Sequence, residues 1–136
     1  MKKILITGIS GQDGAFLTDY ILRNETNVSI FGVTRNTNLF FDKLKYLNPN
    51  FQTDKVYLTN LDMLNKKKVL EFIEFVKPDN VYNLAGPSSV YESIKNPNES
   101  IEQITGIFNN LTESLIKTNN FCNFFQPSSS EMFGNI

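Results

Sequence analysis

The sequence lacks residue types on which several common chemistries depend. It contains no histidine, which removes the most frequent general base and metal ligand. Its one cysteine, Cys122, excludes an internal disulfide, and the apolar residues around it favour a buried structural thiol over a nucleophile. The formal net charge is −1, so no broad field attracts nucleic acid or an acidic membrane. We therefore expect neither nucleic acid nor a membrane as a partner.

Long apolar runs are also missing. No segment approaches the roughly 18 apolar residues that a membrane-spanning helix needs, and the short apolar stretch after Lys3 leads straight into a glycine loop. We therefore expect a cytoplasmic protein without a signal peptide. The 136 residues suit one compact domain.

Short apolar strands alternate with amphipathic helices along the chain. The predicted strands cover residues 4–7, 28–33, 55–58, 80–84 and 121–126, and the predicted helices cover about 15–24, 40–47, 65–76 and 98–117. Asn65 is the predicted N-cap of the third helix. The fourth helix carries an apolar stripe formed by Ile101, Ile104, Phe108, Leu111 and Leu115. The alternation predicts an α/β fold, a Rossmann-like doubly wound parallel sheet with helices on both faces. Such a sheet normally has about six strands, so this one is predicted to be incomplete.

A glycine loop joins the first predicted strand to the first helix. It reads Gly8-Ile9-Ser10-Gly11-Gln12-Asp13-Gly14. Gly8 suits a sharp turn, Gly11 leaves room for a pyrophosphate, and Gly14 lets the helix pack close to the strand. The helix N-terminus then offers free N–H groups and a partial positive charge to phosphates. The alternative is a turn that binds nothing, but the position between a strand and a helix favours dinucleotide binding.

The residues after the second strand indicate which dinucleotide binds. An NAD-selective domain normally places an acid about 20 residues beyond the loop, to bond the ribose 2′-hydroxyl. No acid occurs from Thr26 to Phe41, and Arg35 stands where a guanidinium can pair with a 2′-phosphate. NADP is therefore predicted over NAD. The alternative is an arginine that simply faces water.

Several segments together resemble a known family. The glycine loop is similar to that of the extended short-chain dehydrogenase/reductases, and its Gln-Asp-Gly ending resembles the GDP-mannose 4,6-dehydratases in particular. The resemblance continues through Lys77–Gly86 (KPDNVYNLAG), then Ser88, Val90, Ser93 and Pro97, and ends with Gln126–Gly134 (QPSSSEMFG). It covers nearly the whole chain in register.

This resemblance implies roles for particular residues. Together with the glycine loop, it indicates a set of cofactor-binding residues: Gly8, Ser10, Gly11, Gln12, Asp13, Gly14, Arg35, Asp62, Met63, Leu84, Ala85 and Gly86. Asp62 and Met63 correspond to the pair at the adenine ring. Ser129 and Glu131 correspond to the family's catalytic Thr and Glu, with Ser130 between them. The alternative for this segment is a polar exit from a strand.

The implied reaction is the NADP-dependent removal of water from a nucleotide sugar, with GDP-mannose as the implied substrate and no metal. In that chemistry Ser129 bonds the sugar 4-oxygen, and Glu131 takes the C5 proton and protonates the leaving hydroxide.

The chain also departs from the family. Ser129 stands where the family has Thr, and Pro87 and Ser89 replace Gln and His. The family's Tyr-x-x-x-Lys pair is missing. Tyr91 and Lys95 have the same spacing, but they precede Ser129 instead of following it, so we reject them as substitutes.

Three interpretations stay open. Residues 1–136 are the N-terminal part of the dinucleotide-binding domain of a longer dehydratase, or of a related epimerase or reductase, and are inactive without the Tyr-x-x-x-Lys segment and a substrate domain. Otherwise the chain is a dinucleotide-binding module in its own right, or a remnant that binds no ligand. In each case an open sheet edge favours self-association into a homo-oligomer.

Overall fold

A computed structural model of the protein describes residues 1–51, 53–87 and 90–127. The strands are β1 (Lys2–Thr7), β2 (Val28–Val33), β3 (Val56–Thr59), β4 (Asn80–Asn83) and β5 (Asn123–Phe125). The helices are α1 (Gln12–Asn24), α2 (Thr37–Leu47), α3 (Lys66–Val76), α4 (Val90–Lys95) and α5 (Pro97–Lys117), with a 3-10 turn at Thr53–Lys55. Every predicted strand and helix is present, and α4 is a short addition that the periodicity did not predict.

The strands form one parallel sheet in the order β3-β2-β1-β4-β5. The chain builds outward from β1 through β2 to β3, and then returns to the other side of β1 to form β4 and β5. The strand order reverses between β1 and β4. At such a point an open parallel sheet forms a crevice at the carboxyl ends of its strands. The predicted Rossmann-like, doubly wound sheet is confirmed.

Alternate side chains of the strands supply two separate cores. On one face, Ile4 and Ile6 pack with apolar side chains of α1 and α2, including Phe40. On the other face, Leu5 packs with side chains of α3 and α5, including Leu111. Successive residues of a strand point to opposite faces, so a strand covered on both sides must be apolar at nearly every position. This is why the centre of β1, Ile4 to Ile6, is an uninterrupted apolar run in the sequence.

Asparagine side chains cap two of the helices. Asn65 accepts a hydrogen bond from the Lys68 N–H at 3.1 Å, which confirms the predicted N-cap of α3. Asn36 accepts one from the Leu39 N–H at 3.0 Å at the start of α2. Helix α1 follows Gly11 and has no side-chain cap. Its first N–H groups are therefore left for another partner.

The predicted apolar stripe of α5 is buried in its second half and exposed in its first. Leu111 and Leu115 are buried, but Ile101, Ile104 and Phe108 are 59%, 47% and 39% exposed. Helix α5 packs against α3, which has 11 residues to its own 21. At about 1.5 Å per residue, α5 therefore extends well beyond its neighbour. Neither α5 nor any other helix within the described ranges is long and apolar enough to cross a membrane.

Cys122 lies just before β5 and is partly buried against the core beneath α3 and α5. Burial raises the pKa of its thiol. A nucleophilic cysteine needs the opposite shift, because the thiolate is the reactive form. The geometry agrees with the predicted structural role, although the burial is only partial.

Candidate dinucleotide-binding site

A cleft of about 700 Å³ opens where the strand order reverses. Its lining includes nine predicted cofactor residues: Gly8, Ser10, Gly11, Arg35, Asp62, Met63, Leu84, Ala85 and Gly86. They come from four separate strand-to-helix connections, those after β1, β2, β3 and β4. The parallel sheet brings these connections together at one end. Cofactor pockets commonly have volumes of about 300–1,000 Å³, so the space suits a ligand of this class.

The glycine loop after β1 forms one wall. Gly8 has a φ of 65°, and a Cβ at this position would lie 2.7 Å from the Leu84 carbonyl oxygen. Glycine alone satisfies both conditions without strain. The Gly11 N–H then donates to the Gly8 carbonyl oxygen at 2.9 Å. The loop therefore turns sharply, as its sequence predicts.

Helix α1 begins directly after this loop. A Cβ on Gly14 would lie 2.7 Å from the Ile9 Cα, so the predicted close approach at Gly14 is confirmed. Because Gly11 provides no side-chain cap, α1 starts with free N–H groups and a partial positive charge. Gln12, Asp13 and Gly14 lie in its first turn, outside the lining of the cleft.

The connection between β2 and α2 forms a second wall. Arg35 is exposed and lines the cleft. Within the described parts of the chain, no carboxylate forms an ion pair with it. Asp62 is the one acidic residue among the described residues of the lining. This wall therefore presents a guanidinium fork to an anion.

The exit of β3 forms a third wall. Leu61 and Met63 are buried in the core beneath α3 and α5. Asp62 is exposed between them, and its carboxylate accepts a hydrogen bond from the Leu64 N–H at 2.9 Å. The Asp62 carbonyl oxygen accepts another from the Asn65 N–H at 3.1 Å. The predicted pair thus offers an anchored apolar residue beside a fixed carboxylate.

A chain of hydrogen bonds joins the strands that border the cleft. Thr7 Oγ1 donates to Asn83 Oδ1 at 2.6 Å and accepts from the Ala85 N–H at 3.1 Å. Asn83 Nδ2 donates to Gln126 Oε1 at 2.6 Å. Thr7 and Asn83 are 0% and 2% exposed, so the bond between them is shielded from water, whereas Gln126 is exposed. The chain ties the turn after β4 to β1 and to the end of β5.

Comparison with known proteins shows the family. The family model for GDP-mannose 4,6 dehydratase matches residues 5–136. The chain belongs to the GDP-mannose 4,6-dehydratase family. Its relatives include GDP-mannose 4,6 dehydratase 1 of Arabidopsis thaliana, 32% identical over 98% of this chain, and GDP-mannose 4,6 dehydratase of Homo sapiens, 30% identical over 97%. The chain spans 38% and 37% of the length of those two proteins.

Two solved UDP-glucose 4-epimerase structures share the fold. The Stenotrophomonas maltophila enzyme has a TM-score of 0.80 and 16% identity, over 100% of this chain and 39% of its own. The Brucella ovis enzyme has a TM-score of 0.79 and 16% identity, over 99% of this chain and 38% of its own. Both of those structures contain bound NAD. At this identity the likeness shows a common fold.

Helices α2 and α5 also supply lining side chains of the cleft that were not predicted as cofactor-binding residues. Leu39 of α2 and both Gln103 and Ile107 of α5 line it. Gln103 and Ile107 stand four residues apart and so share one face of a helix. That spacing is visible in the sequence. The geometry of the sheet brings this face of α5 to the cleft, and the spacing of the two residues in the sequence does not indicate it.

The predicted catalytic segment lies outside the described residues. This applies to Ser129, Ser130 and Glu131. Tyr91 and Lys95 are described, and both are exposed on α4, with Tyr91 71% exposed. Neither belongs to the described lining of the cleft, which agrees with their rejection as a catalytic pair.

Proposed function

We propose that residues 1–136 form the N-terminal, dinucleotide-binding part of an NADP-dependent GDP-mannose 4,6-dehydratase. The uncapped start of α1 beside the Gly8 turn, with Arg35 on the same cleft, is the observation that carries this proposal. The first feature suits a pyrophosphate and the second suits a 2′-phosphate. Because the relatives are much longer than this chain, we place the remaining catalytic groups and the sugar-nucleotide site in a longer protein.

The described residues fit a dinucleotide. Among the described residues, a Cβ added to Gly11 would meet only the Gly8 carbonyl oxygen, at 3.1 Å, so these residues leave the other side of Gly11 open to a phosphate. The free N–H groups of α1 begin directly after it. At the third wall, buried Met63 offers an apolar surface and Asp62 a hydrogen-bond acceptor. This combination suits an adenine ring and its amino group.

The second wall favours NADP over NAD. A carboxylate after β2 would bond the ribose 2′-hydroxyl and repel a 2′-phosphate. This chain has no acid between Thr26 and Phe41, and it has Arg35. A guanidinium attracts the phosphate and matches its oxygens in a bidentate fork.

The proposed chemistry depends on the segment after β5. When bound, the nicotinamide supplies a hydride acceptor and donor for the sugar. The Ser129 hydroxyl would hold the sugar 4-oxygen by a hydrogen bond. The Glu131 carboxylate would take the proton from C5 and deliver it to the hydroxide that leaves C6. The Asn83–Gln126 bond ties the end of β5 to β4 just before this segment.

Titration of the purified chain with NADPH and with NADH, followed by nicotinamide fluorescence, tests the cofactor site. We expect binding of NADPH and little response to NADH. Arg35→Asp should reverse this preference, because it replaces attraction of the 2′-phosphate by repulsion. Lys77→Asp makes the same charge change beside the amino end of β4 and should leave the preference intact.

Two outcomes would contradict these assignments. An unchanged affinity ratio in Arg35→Asp would exclude Arg35 as the 2′-phosphate ligand. Binding of neither dinucleotide by a folded wild-type chain would exclude a dinucleotide site in these residues.

The reaction is tested on a longer protein that contains this chain. Incubation with NADP and GDP-mannose should remove water and give a 4-keto-6-deoxy sugar nucleotide, detected by its mass. Epimerisation of a UDP-sugar without loss of water would favour an epimerase instead.

A further inference from the structure

Ser10 is the residue at which two walls of the cleft are joined. Its hydroxyl oxygen accepts a hydrogen bond from Thr34 Oγ1 at 2.6 Å. Its carbonyl oxygen accepts one from Lys43 Nζ at 2.7 Å. Ser10 belongs to the glycine loop, whereas Thr34 follows β2 and Lys43 lies on α2. The two bonds therefore connect the proposed pyrophosphate wall to the wall that carries Arg35.

The peptide group between Ser10 and Gly11 is held at both ends. Its oxygen accepts from Lys43 Nζ, and its N–H donates to the Gly8 carbonyl oxygen at 2.9 Å. Because a peptide group is planar, bonds to its oxygen and its N–H together fix its rotation. Gly11 directly precedes the free N–H groups of α1. The rotation of this one peptide group therefore affects how the start of α1 meets a ligand.

Lys43 is well placed to hold this peptide group. It lies one helical turn beyond Leu39, which lines the cleft. Its side chain is partly buried, and in the described ranges no carboxylate forms an ion pair with it. A hydrogen bond from a charged donor is roughly twice as strong as a neutral one. The charge also offsets the negative end of a peptide dipole beside a site proposed to bind an anion.

We propose that Lys43 is a positioning residue that holds the glycine loop in its dinucleotide-binding shape. This inference rests on the proposed function. Lys43 acts on the loop that any dinucleotide uses, whereas Arg35 acts on the 2′-phosphate alone. Loss of Lys43 therefore weakens the binding of NADPH and of NADH by the same factor. Loss of Arg35 changes the ratio of the two affinities.

Three variants distinguish the effect of Lys43 on the shape of the glycine loop from a general effect of positive charge on binding. Lys43→Met removes the donor but keeps a long apolar stem, and Lys43→Arg keeps both donor and charge. Lys45→Met removes the same charge from an exposed position of the same helix. Thermal unfolding of each variant confirms that it is folded.

Amide exchange of the ligand-free chain, measured by NMR, tests directly whether Lys43 holds the glycine loop in place. The Gly11 N–H should exchange about tenfold faster in Lys43→Met, as expected for loss of a charged hydrogen bond, and at the wild-type rate in Lys45→Met. Fluorescence titration then tests the consequence for binding. In Lys43→Met the dissociation constants of NADPH and NADH should both rise about tenfold with their ratio unchanged, and Lys43→Arg should restore them.

Three results would overturn the proposal. Unchanged exchange at Gly11 would show that Lys43 does not brace the loop. Weakened binding of NADPH alone would make Lys43 a phosphate ligand, and an equal loss in Lys45→Met would show a general charge effect. If the wild-type chain binds neither dinucleotide, the proposed function itself fails. The exchange data would then still show whether Lys43 holds the glycine loop in place.

Discussion

The two sides of the cleft are built in different ways. On the glycine-loop side, backbone packs against backbone, since a Cβ on Gly14 would lie 2.7 Å from the Ile9 Cα. On the side toward α5, a Cβ on Gly86 would meet Ile104 Cγ1 at 4.0 Å, and Ile104 is itself 47% exposed. Backbone atoms cannot move aside as an exposed side chain can. Adding a side chain at a glycine should therefore lower the free energy of unfolding strongly on the first side and little on the second.

The largest difference is expected between alanine substitutions at two glycines. Gly14→Ala should lower the free energy of unfolding by about 4 kcal/mol, because the obstacle is the Ile9 backbone and no rotamer change relieves it. Gly86→Ala should change it by less than about 0.5 kcal/mol. Urea unfolding followed by circular dichroism measures both. Equal effects would contradict the comparison.

Helix α5 repeats this contrast along its own length. Leu111→Ala should cost about 3 kcal/mol, since Leu111 is 0% exposed and its removal leaves a cavity between α3, α5 and the sheet. Ile104→Ala should cost less than about 1 kcal/mol, because that side chain is half exposed. The same unfolding assay decides the matter. A large cost at Ile104 would mean that the first half of α5 packs against another surface.

The hydrogen-bond chain across β1, β4 and β5 connects the two sides. Asn83→Leu deprives Thr7 of an acceptor and Gln126 of a donor, so it should cost about 2 kcal/mol. The control is Asn123→Ala, which removes an exposed amide pair with Asn80 at 3.3 Å. That change should cost less than about 0.5 kcal/mol. Similar costs for the two asparagines would show that the hydrogen bonds of Asn83 stabilise the fold no more than the exposed amide pair of Asn123 does.

The elements of the fold could be read from the sequence because each has a local cause. The centre of strand β1 is an apolar run covered on both faces, and Asn65 caps α3 by accepting a hydrogen bond from the Lys68 N–H. Burial along α5 could not be read in this way. Ile101 and Leu111 have the same chemistry and share the predicted stripe, but only Leu111 has α3 beside it. That difference depends on the length of another helix.

The candidate site likewise contains features with a local cause in the sequence and features without one. Gly8 and Gly14 were predicted because a turn and a close helix–strand contact require glycine, and the structure shows both constraints. The bond from Lys43 to Ser10 joins residues 33 positions apart, and no spacing in the sequence indicates it. The assignment of Ser129 and Glu131 rests on resemblance, and it stays a prediction.

Cys122 provides the smallest test, on the α5 side of the sheet. Burial raises its thiol pKa, so the folded chain should react with iodoacetamide at pH 8 several times more slowly than the chain in urea. Because the folded pKa lies above the unfolded one, the thiol's contribution to stability is complete below the ordinary thiol pKa. It is lost as the pH rises through the folded pKa. The stability difference between the wild type and Cys122→Ser should therefore shrink from pH 7 to pH 10. Equal alkylation rates in the two states would show that the core beneath α3 and α5 admits water as far as β5.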